Sequence, residues 1–308
     1  MLVWIRRARL ALWLGALLSC FATVAPADAQ APLTWKFTPG ESLYYSVVQD
    51  RHLSTIVDGN TTEETMVRTT DFTLVVDSIL PNGSARVRQT VDRIRLKAAS
   101  PRGKVDFDSN STDNQAANIT ILDPTLGRMV GTAFQFTLSP LGKITDVEAT
   151  EATKNRFRDL PNAEAILDPK ALKAIIPVVL LFPEKPPEMG GTWTEKIETS
   201  DAILGKRSIL LTYKLEGIVE RDGRALQQIA VDQSVTLTPK VNPLVKVSLK
   251  DARSQGTALF DNQAGRLVER EVKEDLVLEI SGAGRNIEQR GKSVITTKLT
   301  GRLDAEKS

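Results

Sequence analysis

Few residues of this chain have types and spacings that could do chemistry. His52, in "QDRHLS", is the only histidine of the 308 residues, and Cys20 is the only cysteine. Imidazole or thiolate metal sites need several such ligands, so none is expected. No Gly-x-Ser-x-Gly elbow is present to make His52 the base of a hydrolase, and it is expected to be a solvent-facing strand residue. "DFDSNSTDN" is the best cation candidate, because Asp106, Asp108 and Asn110 carry the one-three-five oxygen spacing of an EF-hand loop. Its sixth position is Ser111 instead of glycine and its twelfth is Ala117 instead of glutamate, so a polar loop after a strand is the better expectation. The carboxylate pairs Glu63-Glu64 and Glu274-Asp275 would point to opposite faces of a strand and cannot form an acid/base pair by themselves. The glycines of "VDGN" and "SGAGR" lack the lysine spacing of a phosphate loop and read as turns. The chain is therefore expected not to be an enzyme, and to carry no cofactor or metal.

The elements that would position these residues are mostly strands. Alternation places Leu43, Tyr45 and Val47 on one sheet face, and Phe72, Leu74 and Val76 on another strand's inner face. "PNG" at 81–83 turns the chain into a strand through Val87, Gln89 and Val91. The apolar phase then moves to Ile94 and Leu96, which predicts a bulge. An echo follows. "GTAFQFTLSPLGKITDVEA", from Gly131, returns as "GTALFDNQAGRLVEREVK" from Gly256, with turn glycines Gly142 and Gly265. An earlier hairpin turning at Gly83 also has a counterpart turning at Gly223. The shared order of hairpins points to an internal duplication.

Between the two halves the period changes. In "DPKALKAIIPVVLLF", Asp168 is an N-cap and Pro169 the first helical residue. Leu172, Ile175, Ile176 and Val179 would share a helical stripe, with Pro177 as kink or stop. Shorter helices are expected around 150–159 and 124–130, and "FPEKPPEMGGTW" is a stiff link. The expected fold is α+β and mostly antiparallel β, with two similar β-rich halves, curved sheets or half-barrels, joined by a helical insert. Its parts are a signal peptide at 1–29, an N-terminal half at 30–148, the insert at 149–190 and a C-terminal half at 191–308.

The first thirty residues carry Arg6, Arg7 and Arg9, then an apolar run from Leu10 to Ala25 and a small-residue processing site at Ala27-Asp28-Ala29. This is the layout of a secretory signal peptide, and it predicts periplasmic or extracellular export with no membrane span in the mature chain. "LLSC", ending at Cys20, allows an alternative in which the chain is a lipoprotein anchored through that cysteine. Residues 1–29 hold three of the 40 basic and one of the 38 acidic residues, so 37 of each sign remain. A balanced chain without a basic stripe excludes nucleic acid as the expected partner. Without disulfides, the mature chain must rely on a hydrophobic core, which its length allows.

The stretches "LTWKFTPGESLYYSV", "FTLSPLGKITDV" and "FPEKPPEMGGTW" resemble a family of secreted bacterial proteins known only as a domain of unknown function. The resemblance runs through Trp35, Phe37, Gly40, Tyr45, Gly142, Pro183, Lys185, Gly191 and Trp193. It implies export and assigns no activity and no site residues. The apolar "IIPVVLLF" exceeds what a one-sided surface helix needs, and fits a helix slotted into the concave face of a curved sheet. Lipoprotein-carrier half-barrels hold acyl chains in this way, an analogy of fold alone. The expected function is thus a binding module for a hydrophobic small molecule or lipid, with Leu172, Ile175, Ile176, Val179, Trp35 and Trp193 as ligand-binding candidates. The alternative is a structural or protein-interaction component of the cell envelope, with an envelope protein as partner. In that case the two tryptophans and the apolar stripe are simply core.

Overall fold

A computed structural model describes residues 31–111, 126–160, 163–174, 176, 179–201, 205–239, 245–282 and 284–303. The expected signal segment, Cys20, Ile175 and Ala117 lie outside these residues. Residues from Pro32 onward form one compact unit. Its strands are β1 (Ser42–Val57), β2 (Asn60–Ile79), β3 (Ala85–Ser100), β4 (Gly103–Asp108), β5 (Ala133–Leu138) and β6 (Ile144–Ala149), then β7 (Thr192–Asp201), β8 (Gly205–Arg221), β9 (Arg224–Thr238), β10 (Val245–Asp261), β11 (Arg266–Gly282) and β12 (Arg285–Leu303). Four short helices lie between β4 and β7 among the described residues: α1 (Leu126–Met129), α2 (Glu151–Phe157), α3 (Ala163–Ile166) and α4 (Pro169–Ala174).

The α+β expectation of two halves joined by a helical insert is overturned. All twelve strands form one antiparallel sheet in the order β6-β5-β3-β2-β1-β12-β11-β10-β9-β8-β7, with β4 added beside β3. The two halves fuse because β1 pairs with β12 along its whole length, from Ser42 opposite Leu303 to Val57 opposite Ile287. That pairing satisfies two long edges that separate sheets would leave open. The two ends of this strand order, β6 and β7, are consecutive strands in the chain, and the helical segment runs between them.

The helical stripe from Leu172 to Val179 does not form either. Asp168 does cap α4, its Oδ1 accepting from the Lys170 amide at 2.8 Å, but α4 ends at Ala174. Pro177 disfavours helix at the residue before it, and residues 179–182 are not helical. Their side chains alternate instead: Leu180 and Phe182 are buried in the core, while Val179 and Leu181 face a cavity. A segment buried on both sides needs apolar residues at every position, and this accounts for the uninterrupted run.

The sheet curls back on itself. From β5 to β11 is five inter-strand steps, roughly 24 Å along the sheet. Yet consecutive residues before β1 reach both turns: the Trp35 amide donates to Pro140 O at 2.8 Å, and the Lys36 amide to Gly265 O at 3.1 Å. The two echoed hairpins therefore meet on one short segment. The segment after α4 likewise bridges the two edges, because the Phe182 amide donates to Leu141 O at 2.8 Å and the Trp193 indole to Leu181 O at 2.7 Å. One core fills the curl, and it draws residues from both halves.

Each half also opens on a stacked aromatic pair across its first two strands. Tyr45 faces Phe72 and Trp193 faces Tyr213, each pair directly opposed in register with an interplanar angle of 16°. At the expected bulge, Phe72 faces Val91 but Asp71 faces Arg93, so Asp92 is the extra residue. Across the curl, buried Glu41 and Arg266 pair at 2.5 Å, and the Tyr45 hydroxyl donates to Leu267 O at 2.8 Å.

Candidate functional site

A cavity of about 500 Å³ opens between the α4 segment and the inner face of β7, β8, β9, β11 and β12. Its position follows from the curl: α4 packs against β6, and the extended residues after it cross toward β7. The far wall is built by rows of cross-strand partners sharing one face. One row runs Trp193, Tyr213, Val231, Gly256, Val272, Ile295. The next runs Glu195, Leu211, Gln233, Ser254, Glu274, Ser293. Ile144, Ile176, Val179, Leu181, Ile197 and Ile209 supply further apolar lining.

Charged groups enter this apolar wall. Arg270 from β11 lines the cavity, and its buried Nε has no hydrogen-bond partner among the described residues. Lys170 and Lys173 come from α4, and Lys143 from the β5–β6 turn. Burial holds the Glu195 carboxyl above its ordinary range, although Lys173 and Arg270 both pull it down. Burial also pushes the Tyr213 hydroxyl up to about 12, leaving a neutral phenol beside the cavity at neutral pH. The Ser293 hydroxyl donates to Glu274 at 3.2 Å, whereas Glu198 is held by Lys196 and Lys206 at 3.0 Å each. In the same row, the Ser254 hydroxyl, on a residue 6% exposed, has no hydrogen-bond partner among the described residues.

Of the ligand-binding candidates read from the sequence, Ile176 and Val179 line the cavity. Leu172 is buried in the core and Ile175 lies outside the described residues. Trp35 and Trp193 are core residues that hold the crossing segment by their indoles. Arg270, Glu195 and Lys173 were not singled out by the sequence. The available signal was a charge at an inward position, Arg270 in phase with Val272, and Glu195 between Trp193 and Ile197.

The other candidates sit elsewhere. His52 is exposed on β1, its Nε2 2.6 Å from Glu63 Oε2 on β2. Asp108 ends β4, and the Arg93 guanidinium engages both of its oxygens and holds its carboxyl down to about 2. Lys97 stands 3.6 Å from Asp106. Both carboxylates of the expected cation loop are thus engaged by basic side chains. Among the described residues, no group of three or more His, Cys, Asp or Glu is placed to hold a metal, and no helix is long and apolar enough to cross a membrane.

A family model described as a family of unknown function, DUF6263, matches residues 82–242. The match takes in "FTLSPLGKITDV" and "FPEKPPEMGGTW" and leaves Leu33–Val47 outside it. No protein of curated function matches the sequence. Among solved structures, lipovitellin is similar at 13% identity over 89% of this chain and 26% of its own, with a TM-score of 0.46, so this chain spans about a quarter of it. A Bacteroides fragilis protein described as exported, with a YmcC-like fold, is similar at 10% identity over 89% of this chain and all of its own, with a TM-score of 0.31. An outer-membrane channel of Pseudomonas putida F1 is similar at 10% identity over 90% of this chain and 99% of its own, with a TM-score of 0.22. None reaches 0.5, and none bears on function.

Proposed function

The chain belongs to the DUF6263 family, which has no assigned function, and from its site we propose that the protein is an exported, non-enzymatic binding module for a hydrophobic small molecule or lipid. One observation carries this reading: the cavity of about 500 Å³ between the α4 segment and the inner sheet face, walled by Ile176, Val179, Leu181, Ile209 and Val272. That volume lies within the roughly 300–1,000 Å³ of small-molecule sites, and such sites combine apolar walls with a few convergent polar groups. Burying an alkyl chain there gains about 0.8 kcal/mol for each CH₂ taken from water. The N-terminal layout of basic, apolar and small residues supports export.

The test is binding of N-phenyl-1-naphthylamine, an uncharged apolar probe whose fluorescence rises on burial. The wild-type protein binds about one probe per chain. Ile176→Trp and Ile209→Trp, which fill the cavity from opposite walls, weaken binding about tenfold or more while leaving the melting temperature near wild type. Undiminished binding in both variants, or no binding by the wild type, would remove the cavity as the site.

A further inference from the structure

We infer that the cavity takes a single-chain amphiphile with an anionic head, and that Arg270 and Lys173 receive the head. The inference rests on the hydrophobic-ligand reading above and adds the chemistry of the polar end. Its first support is the state of Arg270. Its cross-strand partners, Ala258 on β10 and Thr297 on β12, are both uncharged. Among the described residues it makes no hydrogen bond or ion pair, and its Nε is buried without an acceptor. Other partly buried arginines of the sheet have a carboxylate partner: Arg266 has Glu41, Arg93 has Asp108, and Arg95, whose Nε is also without an acceptor, has Asp71. A guanidinium left open toward a cavity presents a fork of N–H donors that matches a carboxylate or a phosphate.

The charge count of the lining is the second support. Lys143, Lys170, Lys173 and Arg270 line the cavity without an ion-pair partner among the described residues. Only Glu195 and Glu274 oppose them, because Glu198 is already held by two lysines. Glu195 lies within the field of both Arg270 and Lys173 and cannot neutralise both. The surplus is positive, inside a wall that is otherwise aliphatic. Lys173 belongs to the exposed side of α4, so it reaches the cavity from the side opposite Arg270 and completes a two-sided grip on the head.

The experiment is calorimetric titration of the full chain with four probes that share a twelve-carbon tail: dodecanoate, dodecyl phosphate, dodecanol and dodecyltrimethylammonium. The expected result is that the two anions bind about tenfold or more tighter than dodecanol, with the cation weakest. The tighter of the two anions identifies the head as carboxylate or phosphate. Arg270→Gln removes most of the anion preference, leaving only the share Lys173 supplies, and keeps dodecanol binding in place. Lys173→Gln, at an exposed helix position where folding is not at stake, lowers the anion preference several-fold. Equal affinity for dodecanol and the anions would overturn the anionic head while leaving the cavity reading intact. An undiminished anion preference in Arg270→Gln would overturn the assignment of that residue. No binding by any of the four probes would overturn both this inference and the reading it rests on.

Discussion

The indole N–H groups of Trp35 and Trp193 donate to the carbonyls of consecutive residues, Leu180 at 2.9 Å and Leu181 at 2.7 Å. Successive carbonyls of an extended segment point to opposite sides, so the tryptophans clamp the crossing segment between them. Trp35 belongs to the stretch before β1 and Trp193 to the edge strand β7. Replacing either by phenylalanine leaves a carbonyl without its donor. Each change is expected to cost about 1–3 kcal/mol in urea denaturation, with Trp35→Phe the larger because its bond is fully buried. The double variant should depart from additivity, since both tryptophans act on one segment.

Gly142 lies under the same segment. It has a φ of +86°, and a Cβ there would stand 1.9 Å from Leu180 O and 3.1 Å from the Trp35 indole nitrogen. Gly223 has a φ of +70° but open space around it. Gly142→Ala is therefore expected to cost about 2–5 kcal/mol, combining left-handed strain with overpacking, while Gly223→Ala costs about 1–2 kcal/mol from strain alone. Thermal unfolding of the two variants side by side checks the difference. Near-equal losses would mean that the crossing segment is not held against the β5–β6 turn.

The Glu41–Arg266 pair, 1% and 7% exposed, ties the start of β1 to β11 across β12. Glu41→Ala leaves a buried guanidinium without its carboxylate, and a loss of about 3–5 kcal/mol is expected. Replacing both residues by methionine should recover part of that loss, because the buried charge is removed with its partner, while Arg302, the half-exposed second partner of Glu41 at 2.7 Å, still loses its carboxylate. Denaturant titration of the single and double variants measures the recovery.

The pH dependence of stability should carry the mark of Glu195. Its carboxyl titrates above the ordinary range in the folded protein, chiefly through burial. The folded state therefore holds this proton more tightly than the unfolded chain does. As pH rises from the ordinary glutamate range through the folded value, the protein loses stability at this site. Glu195→Gln removes that loss. The variant should match wild type near pH 4 and exceed it increasingly toward pH 7, as read from melting temperatures across the range.

How much of this was legible beforehand depends on whether the information was local. The Asp168 cap, the inward faces of Phe72, Leu74 and Val76, and the bulge at Asp92 all follow from residues a few places apart, and the structure has them. The single sheet was hidden because its deciding contact pairs Ser42 with Leu303, and no local period reports so distant a partner. The run after α4 misled for a different reason. An extended segment buried on both sides and a fully buried helix both leave continuous apolar sequence, and only Pro177 hinted at the first. Arg270 is hard to read from sequence because charge on a β-strand normally means the solvent face, and only its phase with Val272 says otherwise.

Native mass spectrometry of the protein purified from the exported fraction, followed by organic extraction of whatever leaves with it, tests the central claim most directly. The account predicts a stoichiometric hydrophobic adduct that is lost in Ile209→Trp while the protein stays folded. A bare mass for the wild type, unchanged after incubation with envelope lipids, would contradict it.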